Sequence, residues 1–227
     1  MKLLVANPNT TASMTEKIKG AALAVARPDT KVVAVNSASG PASIQGYLDV
    51  ATCVPGLLAA VEPHGDADAI LVACFDDTGV DALRCTTEAP VIGIGEAAFH
   101  AAAMISAKFG VVTTLSRSVP GLEANLVRYG LWQKCTGVRA TDIPVLALEN
   151  GDPETTDTIR AEIRLAVERD GAEAVVLGCA GMADLMAQLS DEFGLPVIDG
   201  VVCGVTMAEA LVNAGLKTSK ANAYSLS

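Results

Sequence analysis

Aromatic and basic side chains are scarce in this chain. Rings make up 4% of its 227 residues, and 16 lysines and arginines stand against 26 acids, a net charge of −10. Without a basic cluster, an acidic surface repels nucleic acid and anionic membrane, so both are excluded as partners. No apolar run approaches membrane-spanning length, and the opening "MKLLVANPNTT" turns polar too early for a secretory leader. Six cysteines (53, 74, 85, 135, 179, 203) form no C-x-x-C pair, and His64 and His100 sit at no zinc spacing, so no metal site is expected. Free thiols in a chain this size point to a reduced, cytoplasmic protein.

What the chain has is apolar mass: 51% of residues are hydrophobic, mostly Ala, Val, Leu and Ile. The length suits one large α/β unit or two compact lobes. Short β-branched runs predict strands at 2–6, 31–35, 69–73, 90–93, 109–113, 137–141, 173–178 and 196–198. Alanine-rich stretches predict helices at 13–26, 48–62, 79–88, 96–108, 117–129, 154–170, 182–193 and 204–214. Ser13 and Glu16 have capping-box spacing, and Pro55 is expected to kink or split the second helix. Unpatterned strands alternating with helices indicate parallel sheets covered on both faces.

The chain also repeats itself. The stretch 69–93 lies over 174–200: Cys179 follows Cys74 by 105 positions and Pro196 follows Pro90 by 106. "LLVANP" at 3–8 lies over "FGVVTT" at 109–114, again offset by 106. The expected fold is therefore α/β with two similar lobes. Each is a parallel sheet flanked by helices, the two are related by a pseudo-twofold, and a cleft between them holds the site. The expected division is 1–95 plus 201–227 for one lobe and 96–200 for the other, the last helix crossing back.

Ligands in open α/β sheets bind beyond the carboxyl ends of the strands, where Cys74 and Cys179 both fall. A lone cysteine there is as readily a small buried hydrophobe. Two at equivalent points of a duplicated unit suggest acid/base chemistry. One thiolate would take a proton from carbon while a thiol on the opposite face delivers another, which inverts a stereocentre.

The motifs "NPNTTASMT", "ACFDDTG", "TTLSRSVP", "LGCAGM" and "PVIDG", with "GPASIQG" at 40–46 and the tail "TSKANAY", resemble the hydantoin racemases of the aspartate/glutamate/hydantoin racemase superfamily. The resemblance runs along essentially the whole chain. It implies racemisation of 5-monosubstituted hydantoins without a cofactor, Cys74 and Cys179 as the acid/base pair at C5, and a homo-oligomer. Allantoin and amino-acid racemases are the neighbouring alternatives. Allantoin racemases tend to carry Gly-Asp-Pro-Gly after the first cysteine, whereas this chain has Phe-Asp-Asp-Thr.

Asn7 and Asn9 should border the cleft or serve the turn after the first strand; Thr113 and Thr114 are their counterparts, binding ring carbonyls or capping a helix. Amides of Phe75, Asp76, Ala180 and Gly181 are candidate oxyanion donors, with Ala180 and Gly181 leaving room for a flat ring. Ile44 is either a pocket wall or an apolar anchor. Asp76 and Asp77 are expected to cap a helix starting near Gly79, with Asp76 turned away from the thiol. The remaining cysteines and His100 read as packing residues, His64 as part of a turn and Trp132 as an anchor between elements. A small-molecule binding protein, a one-cysteine decarboxylase and a Cys74–Cys179 redox pair are the competing classes; none explains two matched strand-end thiols as directly.

Overall fold

The computed structural model describes residues 1–150 and 152–225. Buried apolar strands and amphipathic helices alternate: β1 (Lys2–Asn7), α1 (Ala12–Val25), β2 (Lys31–Asn36), α2 (Tyr47–Val61), β3 (Ala69–Val72), α3 (Val80–Arg84), β4 (Val91–Gly93) and α4 (Ile94–Ile105). The pattern repeats with β5 (Phe109–Thr113), α5 (Val119–Arg128), β6 (Cys135–Ala140), α6 (Pro153–Glu168), β7 (Ala174–Gly178), α7 (Met186–Phe193), β8 (Val197–Asp199) and α8 (Gly200–Asn213).

The strands form two four-stranded parallel sheets of matching order, β2-β1-β3-β4 and β6-β5-β7-β8. The duplication extends to register: Leu3 pairs with Ala69 in one sheet, and Phe109 with Ala174 in the other. Val72 pairs with Gly93, and Leu177 with Asp199. The two-lobed α/β fold read from the repeat is thus present.

Central strands β1, β3, β5 and β7 are buried almost throughout, whereas edge strands β2 and β6 are half-exposed and accommodate Lys31 and Arg139. One apolar cluster joins the lobes, with Leu3, Val5 and Leu71 of one sheet and Val111 and Val176 of the other around Phe99 on α4. Phe99 meets Phe75 edge-on at 5.3 Å between ring centres, which ties the loop after Cys74 to the shared core. Helix α8 packs on α1, β3 and β4, α4 packs on β7 and β8, and the two helices pack on each other. We propose on this crossing that the lobes divide as 1–95 plus 201–227 and 96–200.

Several boundaries differ from expectation for identifiable reasons. Helix α1 is capped at Thr11, so Ser13 lies inside the first turn; the Thr11 amide is taken by the Asn9 side chain at 2.9 Å. Helix α2 runs unbroken past Pro55, because burial of Cys53, Leu57 and Val61 along one face outweighs the lost backbone hydrogen bond. Helices α4 and α8 begin directly at the ends of β4 and β8 rather than at 96 and 204, since their glycine-rich first turns are helical. The stretch Ala180–Leu185 forms a 3-10 turn, so α7 starts only at Met186. Trp132 opens a short 3-10 turn and is 38% exposed.

Candidate active site

Cys74 stands just beyond β3 and Cys179 immediately after β7, and the two line one cavity of about 50 Å³. Asn9, Ile44, Phe75, Asp76, Thr113, Thr114 and Ala180 also line it, as expected. Met14, Ser118, Leu122 and Val145 are further walls. Met14 and Ser118 lie within quoted motifs, but nothing distinguished Leu122 or Val145 from ordinary core residues. All six cysteines are free thiols.

Two expected wall residues stand elsewhere. Asn7 is buried behind the wall, where its side-chain amide donates to Asn9 Oδ1 (2.9 Å) and Thr15 Oγ1 (3.0 Å). It thereby orients Asn9, whose own amide group points toward the Met14 sulfur at 3.6 Å. Gly181 does not line the cavity; its carbonyl accepts from Lys17 Nζ at 2.7 Å, and an added Cβ would stand 3.1 Å from Leu148. Thr113 donates to the Gly178 carbonyl at 2.9 Å, so its hydroxyl proton is engaged within the sheet.

The two thiol loops are built alike. Amides of Asp77 and Met182 donate to the carbonyls of Cys74 and Cys179, each at 3.0 Å. The amides of Asp76 and Gly181 lie close enough to the respective sulfurs to lower their pKa values. These two expected oxyanion donors therefore favour the thiolates themselves.

Around this symmetric frame the charges are asymmetric. Burial, then the neighbouring Asp76 carboxylate, push the Cys74 thiol well above its ordinary range. Asp76 consequently faces the sulfur instead of turning away, while also accepting from the Thr78 hydroxyl at 2.6 Å. Burial pushes Cys179 up to about 11, held there by the Gly181 amide and the Lys17 cation. The Cys179 loop thus has an adjacent cation and the Cys74 loop an adjacent anion.

Asp77 caps a helix, though not the one beginning near Gly79. Its carboxylate accepts the amides of Gly95 (2.9 Å) and Glu96 (2.7 Å) at the start of α4, and the Tyr129 hydroxyl at 2.8 Å. Helix α8 is capped by its own Asp199, which accepts from Val202 at 2.9 Å. The equivalent position before α4 is Gly93, where a Cβ would fall 1.9 Å from Asp77 Oδ1. A cap supplied by the neighbouring loop has replaced the local one, and it fixes the Cys74 loop to α4 and α5. Asn125 of α5 adds a bond to the Asp76 carbonyl at 2.8 Å.

Burial raises the Asp77 carboxyl to about 7, against the bonds from Tyr129 and the two amides. Between the usual carboxylate range and about 7, the folded state keeps a proton that the unfolded chain has shed. Asp77's contribution to stability therefore falls as pH rises through that window and is constant above it. Relative to Asp77→Asn, the wild type should lose up to about 4 kcal/mol of unfolding free energy from about pH 4 to pH 7. Urea titrations of both proteins check this; a difference independent of pH would mean that the carboxylate stays ionised throughout.

Among the described residues, no group of three or more His, Cys, Asp and Glu side chains could hold a metal ion. No described helix is long and apolar enough to cross a membrane. His100 bonds the Glu96 carbonyl at 2.9 Å away from the cavity, and His64 ends a surface turn.

Residues 3–208 match the family described as Asp/Glu/Hydantoin racemase. A hydantoin racemase of Rhizobium meliloti is 48% identical over 227 residues, covering 99% of this chain and 94% of the relative. An allantoin racemase structure from Klebsiella pneumoniae superposes with a TM-score of 0.96 at 42% identity, covering 100% of this chain and 94% of its own. That from Pseudomonas fluorescens gives 0.97 at 38% identity, with 100% and 97% covered.

Proposed function

This chain belongs to the Asp/Glu/hydantoin racemase family and is an isomerase, and from that premise we propose that it racemises 5-monosubstituted hydantoins at C5 with two cysteines and no cofactor. The observation that carries the reading is the placement of Cys74 and Cys179 at equivalent strand ends, facing a single cavity. Asp76 is the only charged side chain among the described residues lining it, which suits a neutral ring better than an amino acid with its carboxylate and ammonium.

In this mechanism Cys179 is the thiol that ionises first. Its sulfur takes the C5 proton, leaving an enolate on the adjacent ring carbonyl. Asn9, held by Asn7, donates to that oxygen. Cys74, kept protonated beside Asp76, returns a proton on the opposite face. The opposite enantiomer uses the same steps in reverse, and solvent exchange resets the two sulfurs. The reading places the protein in a reducing, cytoplasmic compartment and takes it to be a homo-oligomer acting on small molecules alone.

Lys17 provides a test of this division of labour. Lys17→Met should lower kcat/KM at pH 8 about 10-fold and move the rising limb of the pH–rate profile about one unit upward. Lys17→Arg should keep the limb in place. Identical profiles in wild type and Lys17→Met would remove Cys179 as the first base.

Allantoin is a second reading, since solved allantoin racemases are about as similar to this chain as the curated hydantoin racemases. Allantoin is itself a hydantoin with a polar ureido group on C5, so the same chemistry applies. Assaying single enantiomers of allantoin and of alkyl- and arylalkyl-hydantoins by loss of optical rotation separates the two readings. Inactivity of the folded protein on the whole panel would overturn both.

A further inference from the structure

The thiol cavity is too small for a whole substituted substrate. Its volume of about 50 Å³ compares with the roughly 300–1,000 Å³ usual for ligand sites. A second recess of about 210 Å³ adjoins it, and Asp76 and Ser118 line both. Beside both, the 40–46 loop meets the turn before α5. Arg117 Nη2 donates to Gln45 Oε1 at 2.6 Å, and Ser118 Oγ donates to the Gln45 carbonyl at 3.3 Å.

We propose that this recess receives the C5 substituent of the substrate and selects apolar groups; the inference rests on the functional reading above. The polar groups around it are already engaged: Arg117 with Gln45, Asn125 with the Asp76 carbonyl, and Asp76 with Thr78. Also lining the space are Gly46, Tyr47 and Val50 at the start of α2 and Gly121 and Ala124 of α5, apolar but for the Tyr47 hydroxyl.

Two further observations agree. Tyr47, which lines the recess, is 69% exposed, a ring surface that a bound hydrocarbon group would cover. Gly121 lies inside a helix, where glycine costs about 1 kcal/mol relative to alanine. Neither packing nor backbone geometry demands it, because an added Cβ would meet nothing within 4 Å. Its missing side chain keeps the recess open.

The test compares wild type with Gly121→Leu on 5-benzylhydantoin, 5-methylhydantoin and allantoin. Wild type should prefer the benzyl over the methyl compound about 10-fold or more in kcat/KM, and over allantoin by a similar factor. In Gly121→Leu the benzyl-to-methyl ratio should collapse at least 10-fold, with a melting temperature no lower than wild type. Tyr47→Ala should lower the same ratio and serves if the leucine variant does not fold. A ratio unchanged within twofold in a folded variant, or a wild-type preference for allantoin, overturns the subsite alone. A wild type inert on all three overturns the functional reading and the subsite with it.

Discussion

Replacing Cys74 or Cys179 with serine should lower kcat/KM for racemisation about 1,000-fold or more, the upper part of the range for a positioned acid or base. A hydroxyl fits the space of the thiol but neither ionises at working pH nor returns a proton as readily. The loss should be similar for both variants, because inversion requires both faces. Each should still exchange the C5 proton of one enantiomer, the one whose C–H points at the surviving sulfur. Cys179 is the more buried of the two, so unfolding curves should show little change for Cys74→Ser and a modest loss for Cys179→Ser. Wild-type turnover by either variant would contradict the paired mechanism.

The second large effect is expected at Gly95, far from any role readable in its side chain. A Cβ there would fall 2.2 Å from the Phe75 carbonyl and 2.8 Å from Asp77 Oδ2. The first contact is backbone, so rotamer change cannot relieve it and the Cys74 loop must shift. Overpacking of this kind costs about 1–3 kcal/mol, and a displacement near 1 Å at a reacting group can cost about 100-fold in rate. Gly95→Ala should therefore lose stability by that amount and lower kcat about 100-fold. Gly20→Ala on α1, where a Cβ would meet nothing within 4 Å, is the control expected to retain both. Wild-type kcat in Gly95→Ala would show that the loop is not held in a single geometry.

The parts legible in sequence are those encoded by repetition. Cys74 and Cys179 were separable from the other four cysteines because each ends a buried strand in a duplicated stretch, and the register of both sheets follows the same offset. Wall residues within recognisable motifs were legible too, Asn9 and Thr114 among them. Features that depend on contacts between distant segments were not. Asp77 was expected to cap the helix that follows it, yet it caps α4, because Gly93 leaves room for its carboxylate. Lys17 resembles any solvated helix lysine until the fold sets it against the Gly181 carbonyl. Asn7, grouped with Asn9 by proximity, turned out to support it from behind.

The central claim is that two thiols act on opposite faces of one carbon. It is tested most directly by incubating a single enantiomer of 5-benzylhydantoin with the enzyme in D2O, alongside a protein-free control, and following deuterium at C5 in both enantiomers at early times. A two-base site should put solvent deuterium into the newly formed enantiomer while the remaining substrate keeps its hydrogen. Equal deuterium in recovered substrate and product from the first turnovers would mean that one base serves both faces, and would contradict the account.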